Sequence, residues 1–258
     1  MTGVENLIAV YNGMPADNMM KSIIMNILKN LDKIEKMTIY ELSDLCYTSP
    51  ASISRLVKKL GYKNYSYFQK DVLDCLRHYE HHNRLLPMEN IPEDQSFSQV
   101  FITALKGMLT KVEDTINMDE VHDLAEKIHG SRSISIFSYG GGMAETFLQS
   151  DIFMSGRVCD LFYIYKDILE RAKTLTDKDY VLFIIPKCIE GMDADKIISM
   201  IHEKGAKVCV ITDTKHFSIL KKADMSFVLE GVMRGIDMFI LQAFVCILTM
   251  TYRKMYID

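Results

Sequence analysis

No acidic residue occurs between Asp44 and Asp71, in a chain that carries 34 Asp and Glu against 30 Lys and Arg. Arg55, Lys58, Lys59, Lys63 and Lys70 all fall inside that gap, so a basic island sits in a protein of net charge −4. The net acidity excludes a chain that coats nucleic acid along its whole length, while the island implies one local anionic partner. Paired cysteines are lacking as well. Cys46, Cys75, Cys159, Cys188, Cys209 and Cys246 are scattered without a C-x-x-C pair and no secretory signal precedes them, so free thiols and a cytoplasmic location are expected. Long apolar runs are missing too: Met238 to Met250 is interrupted by Gln242 and is shorter than the roughly 20 residues of a membrane span, which leaves a buried helix. His78, His81 and His82 have no cysteine or carboxylate set at ligand spacing beside them, so a solvated linker is expected there, with no metal and no cofactor.

What is present is an ordinary globular composition, 48% hydrophobic and 25% charged over 258 residues, which suits one small and one medium domain. Residues 17–30 place Met20, Ile23, Ile24, Ile27 and Leu28 at helical spacing behind Asp17 as a candidate cap. Thr38 followed by Glu41 spells a capping box. Ser49 then caps a further helix with Pro50 at its first position, and Gly61 offers a left-handed stop. In that helix Ile53, Leu56, Val57 and Leu60 form an apolar stripe. Ser49, Ala51, Ser52, Ser54, Arg55, Lys58, Lys59 and Lys63 are left as a candidate DNA-binding set. Small residues near the amino end admit the helix to a major groove, Arg55 can reach guanine bidentately, and the lysines suit phosphate. A structural helical domain with a solvated basic face is the alternative reading of the same residues. Tyr67, Phe68, Val72, Leu73 and Leu76 close the small core from a fourth helix.

The run TIYELSDLCYTSPASISRLVKKLGYKNYSYFQ resembles the helix-turn-helix of the RpiR/MurR family of bacterial transcriptional regulators. The family pattern S-x-x-[ST]-[IV]-x-R…K-K-L-G-[FY] falls on Ser49, Ser52, Ile53, Arg55, Lys58, Lys59, Leu60, Gly61 and Tyr62. Tyr47 departs from it, standing where the family has a turn glycine, and must adopt a left-handed backbone or shift the turn.

Past a linker at 81–104, helix and strand patterns alternate. From about Phe97 two amphipathic helices, through Val100, Leu105, Leu109 and Val112 and then Val121, Leu124 and Ile128, lead into strands expected at 134–137, 158–163, 180–185, 207–212 and 225–229, with further helices at 147–154, 168–175, 194–202 and 236–252. Val- and Ile-rich runs without alternation imply a parallel sheet covered on both faces. The fold class expected is therefore an all-α helix-turn-helix domain at 1–80 followed by an α/β domain with a doubly wound parallel sheet at 105–258. That half resembles the SIS (sugar isomerase) domain, through its glycine loop, Asp167, Ala172, Leu175, Asp179, Gly205-Ala206 and the S-x-L-x-x-x-A-D run at Ser218, Leu220, Ala223 and Asp224.

The resemblance implies a sugar-phosphate or related small-molecule effector near Ser138, Gly140, Gly141, Gly142, Lys187 and Cys188. Three hydroxyl positions of the family's second phosphate loop are Pro186, Cys188 and Gly191, and the first loop's serine falls on Gly141 or Gly142, so the usual phosphosugar donors are degenerate. Together the halves imply a DNA-binding regulator of carbohydrate metabolism that binds operator DNA as a homodimer or homotetramer and is not an enzyme. The alternatives are a phosphosugar isomerase using Glu190 or His202 as base, and a dimeric DNA-binding protein that needs no ligand.

Overall fold

The computed structural model describes residues 3–82, 91–138, 142–186, 193–230 and 236–258. The chain divides into two compact units, Met1–Asn83 and Arg84–Asp258.

The first unit is all helical: α1 (Gly3–Asn12), α2 (Met19–Leu28), a 3-10 segment Leu31–Lys36, α3 (Ile39–Leu45), α4 (Pro50–Lys59) and α5 (Tyr65–His82). The cap of α2 is Asn18 rather than Asp17, its side chain accepting from the N–H of Met20. Thr38 and Glu41 make both halves of the expected capping box on α3. Ser49 accepts from the N–H of Ser52 to start α4, with Pro50 at the first position. Gly61, at φ 95°, ends α4, and the N–H of Tyr62 returns to the carbonyl of Val57. Leu7, Ile24, Ile27, Ile34, Leu42, Ile53, Leu56 and Phe68 are fully buried in one core. Helix α1, which contributes Leu7, was not anticipated from the sequence pattern.

In the second unit α6 (Phe97–Thr115) begins within the 81–104 stretch read as linker, because Ser96 and Gln99 form a capping box. Its Val100, Phe101, Ala104 and Leu105 pack on the core of this unit. There follow α7 (Met118–Gly130), β1 (Ser133–Ser138), α8 (Met143–Met154), β2 (Val158–Phe162), α9 (Tyr165–Thr174) and β3 (Asp179–Ile184). The chain continues through α10 (Ala194–Glu203), β4 (Lys207–Thr212), the short β5 (Met225–Val228) and α11 (Asp237–Tyr256). All five strands run parallel in the order β2-β1-β3-β4-β5, a doubly wound sheet.

Ile134, Ile136, Leu182, Ile184, Cys209 and Ile211 face the core shared with α7, α8 and α11. The alternate residues Phe137, Val181, Phe183, Val208 and Val210 are buried as well, on the side covered by α9 and α10. Burial on both faces is why these strands read as continuous apolar runs. The chain winds from β1 outward to β2, then crosses back to β3 on the other side of β1. The topological switch point is therefore at the carboxyl ends of β1 and β3, beside Ser138 and Ile184. Among the described residues no helix is long and apolar enough to cross a membrane.

Candidate nucleic-acid interface and the ligand end of the sheet

The corner between α3 and α4 is closed by Tyr47, the single non-glycine residue at positive φ (51°) among those described, with its side chain 93% exposed. Its N–H bonds the carbonyl of Asp44 and the next N–H, of Thr48, bonds that of Ser43, so the left-handed residue ends α3 as a glycine would. The turn is made without a glycine, with the strain of a left-handed backbone held at a tyrosine.

On α4 the exposed residues Ala51, Arg55, Lys58 and Lys59 recur at helical spacing and form one face, opposite buried Ile53, Leu56 and Val57. Ser49 and Lys63 are exposed and Ser54 is half-buried. None of Arg55, Lys58, Lys59 and Lys63 takes part in an ion pair among the described residues. Ser52 differs from the sequence reading. It is buried, its hydroxyl lies 3.1 Å from that of Ser49, and it accepts from Arg55 Nη2 at 3.4 Å. Ser52 therefore orients the arginine and cap instead of presenting itself.

Behind this face, Gln69 Nε2 donates to the carbonyls of Ile34 and Met37 at 2.7 and 2.9 Å, and Tyr65 Oη donates to Met37 at 2.9 Å. These bonds pin α5 to the segment entering α3. The Cys46 thiol donates to the carbonyl of Ile23, and burial pushes its pKa up to about 11, which makes it an inert packing residue.

At the carboxyl end of β1, Ser138 is buried and its hydroxyl donates to Glu145 Oε1 at 2.7 Å. The serine expected to offer a hydroxyl to a ligand thus spends it on its own chain. Gly142, also expected to admit a ligand closely, has φ −142°, a conformation open to any residue. The constraint there is space: a Cβ would meet the end of the Gln242 side chain from α11, which would have to shift. Gly140, Gly141, Lys187 and Cys188 lie outside the described residues, as does Glu190.

His202 is described and sits near the end of α10, where Nε2 lies 3.3 Å from Asp224 Oδ2. Asp224 in turn accepts from the N–H of Val208 at the start of β4. This places His202 at the amino edge of the sheet, opposite the switch point at Ser138. The side chains of His78, His81 and His82 are outside the described set. Among the described residues no group of three or more His, Cys, Asp or Glu is placed to hold a metal ion.

No family model matches the chain. An HTH-type transcriptional regulator encoded in the aarA 3′ region of Providencia stuartii is 24% identical over 206 residues, covering 77% of this chain and 71% of that protein. The HTH-type transcriptional regulator RpiR of Escherichia coli K12 is 23% identical over 191 residues, or 72% of this chain, which spans 62% of RpiR's length. Among solved structures, Vibrio vulnificus NanR complexed with ManNAc-6P matches with a TM-score of 0.51 at 15% identity, over 98% of this chain and 92% of that one. The sugar isomerase domain of the RpiR transcription factor from Sphaerobacter thermophilus matches with a TM-score of 0.53 at 14% identity, over 63% of this chain and 92% of its own. These two likenesses are of fold.

Proposed function

We propose that the chain acts as an RpiR-type helix-turn-helix regulator, a reading supported by its likeness to two HTH-type regulators, in which α4 reads operator DNA while the SIS-like unit pairs subunits and answers a small-molecule effector. The observation that carries this reading is the exposed Ala51, Arg55, Lys58 and Lys59 face, unopposed by any carboxylate ion pair among the described residues. Arg55, held from behind by Ser52, is set to meet a base edge. Lys58, Lys59 and Lys63 are suited to phosphates, and Ser49, Ala51 and Ser54 keep the amino end of α4 slim enough for the groove.

Pairing of two copies doubles the reading helix and fits a palindromic site. Exposed Met143, Phe147 and Met154 on α8, with Phe239 and Met250 on α11, supply apolar surface for such pairing on two helices that pack together. A carbohydrate-linked effector is suggested by the relatives: NanR is complexed with ManNAc-6P and the Sphaerobacter domain is a sugar isomerase domain.

The test is fluorescence anisotropy of the full chain on its upstream DNA across a range of salt. Three lysines per subunit in a dimer give a slope of log affinity against log salt of about −5. A flat salt dependence, or equal affinity for upstream and random duplex, would overturn the reading.

A further inference from the structure

The first turn of α8 lies beside the switch point of the sheet, and free backbone N–H groups at such a helix start favour an anion. Glu145, the third residue of α8, is fully buried. It accepts from Ser138 Oγ at 2.7 Å and from Gln242 Nε2 at 2.9 and 3.0 Å. Both of those partners donate to its carboxylate oxygens. Gln242 turns its Oε1 toward the N–H of Ala144 at 3.4 Å and keeps its amide in the space that a Cβ on residue 142 would need. The Gln242 amide thus occupies room at the start of α8, and a buried carboxylate stands directly behind it.

We propose that Glu145 and Gln242 set the specificity of this end of the sheet, excluding phosphoryl ligands from the start of α8 and leaving the domain to select an uncharged or cationic ligand. A phosphate brought there would have to displace Gln242 and stand beside a buried carboxylate. At a separation of about 4 Å that repulsion lowers affinity on the order of a hundredfold or more. The exclusion of phosphate follows from these side chains alone, whereas the class of accepted ligand rests on the reading of this unit as a sensor. Among the three glycines of the loop, Gly142 is then explained by a neighbour inside the protein and not by a ligand.

The experiment is calorimetric titration of inorganic phosphate and glucose 6-phosphate into the full wild-type chain and into Glu145→Gln and Gln242→Ala, with affinity for upstream DNA measured on the same samples. Glu145→Gln keeps the shape and removes the charge, and it should bind phosphate at least tenfold more tightly than wild type. Gln242→Ala opens the space over Gly142 but keeps the carboxylate, and it should stay unresponsive. Wild type that binds either phosphate as tightly as Glu145→Gln overturns the proposal, as does a gain of phosphate affinity in Gln242→Ala equal to that of Glu145→Gln. If Glu145→Gln does not fold, measurable phosphate binding by wild type overturns the proposal and silence supports it. Phosphate binding together with intact DNA binding sinks the exclusion and leaves the regulator reading standing.

Discussion

The phenolic oxygen of Tyr62 donates to Asp71 Oδ2 at 2.5 Å, tying the residue after the glycine stop of α4 to the second turn of α5. The same ring meets Phe68 edge-on, with centroids 5.5 Å apart. Burial, then the bond to Asp71, raises the Tyr62 pKa, so the hydroxyl stays a donor. Tyr62→Phe keeps the ring and deletes the bond, and should cost the helical unit about 1–2 kcal/mol in urea unfolding followed by circular dichroism.

Tyr47 is the converse case, a residue that costs stability where it stands. At φ 51° and 93% exposure it gains little from packing. Tyr47→Gly relieves the left-handed strain and should raise the melting free energy of this unit by up to about 1 kcal/mol. A loss of DNA affinity in that more stable variant would show that the tyrosine is kept for contact with DNA.

Gly142 and Gln242 should behave as a coupled pair. Gly142→Ala forces its new methyl into the Gln242 amide and should destabilise by about 1–3 kcal/mol. Adding Gln242→Ala to that chain should recover part of the loss, giving a non-zero coupling in a double-mutant cycle by thermal unfolding.

The acid sensitivity of the α/β unit should depend on Asp179. Burial pulls its pKa up, but bonds from Ser133 and from both the hydroxyl and N–H of Thr176, with the Arg171 charge, outweigh that and hold it below the usual carboxylate value. With the folded value below the unfolded value of about 3.9, this stabilisation is complete above that pH and fades as pH falls through the lower folded value. Asp179→Asn should therefore be less stable at neutral pH and show a flatter decline between about pH 5 and pH 3.

The features legible in the sequence were local ones. The Thr38–Glu41 box, the Ser49 cap, Pro50 and the Gly61 stop are satisfied within one helical turn of themselves, so their spacing reveals them. The strands were legible because burial on both faces demands unbroken Val and Ile runs. The link from Glu145 to Gln242 spans 97 residues and joins two helices, so no local pattern announces it. Ser52 is an exception among the local features: its partners Ser49 and Arg55 lie only three residues away, but a small polar residue on a basic helix has the pattern of surface even where it is buried.

Whether α4 reads base sequence is decided most directly by the ratio of affinities for upstream and random duplex, measured for wild type and Arg55→Ala at one fixed salt concentration. We expect wild type to prefer upstream DNA strongly, and Arg55→Ala to lose about ten- to a hundredfold of that preference while keeping most of its affinity for random DNA. An unchanged ratio in Arg55→Ala, or no preference in wild type, would contradict the assignment of α4 as the reading helix.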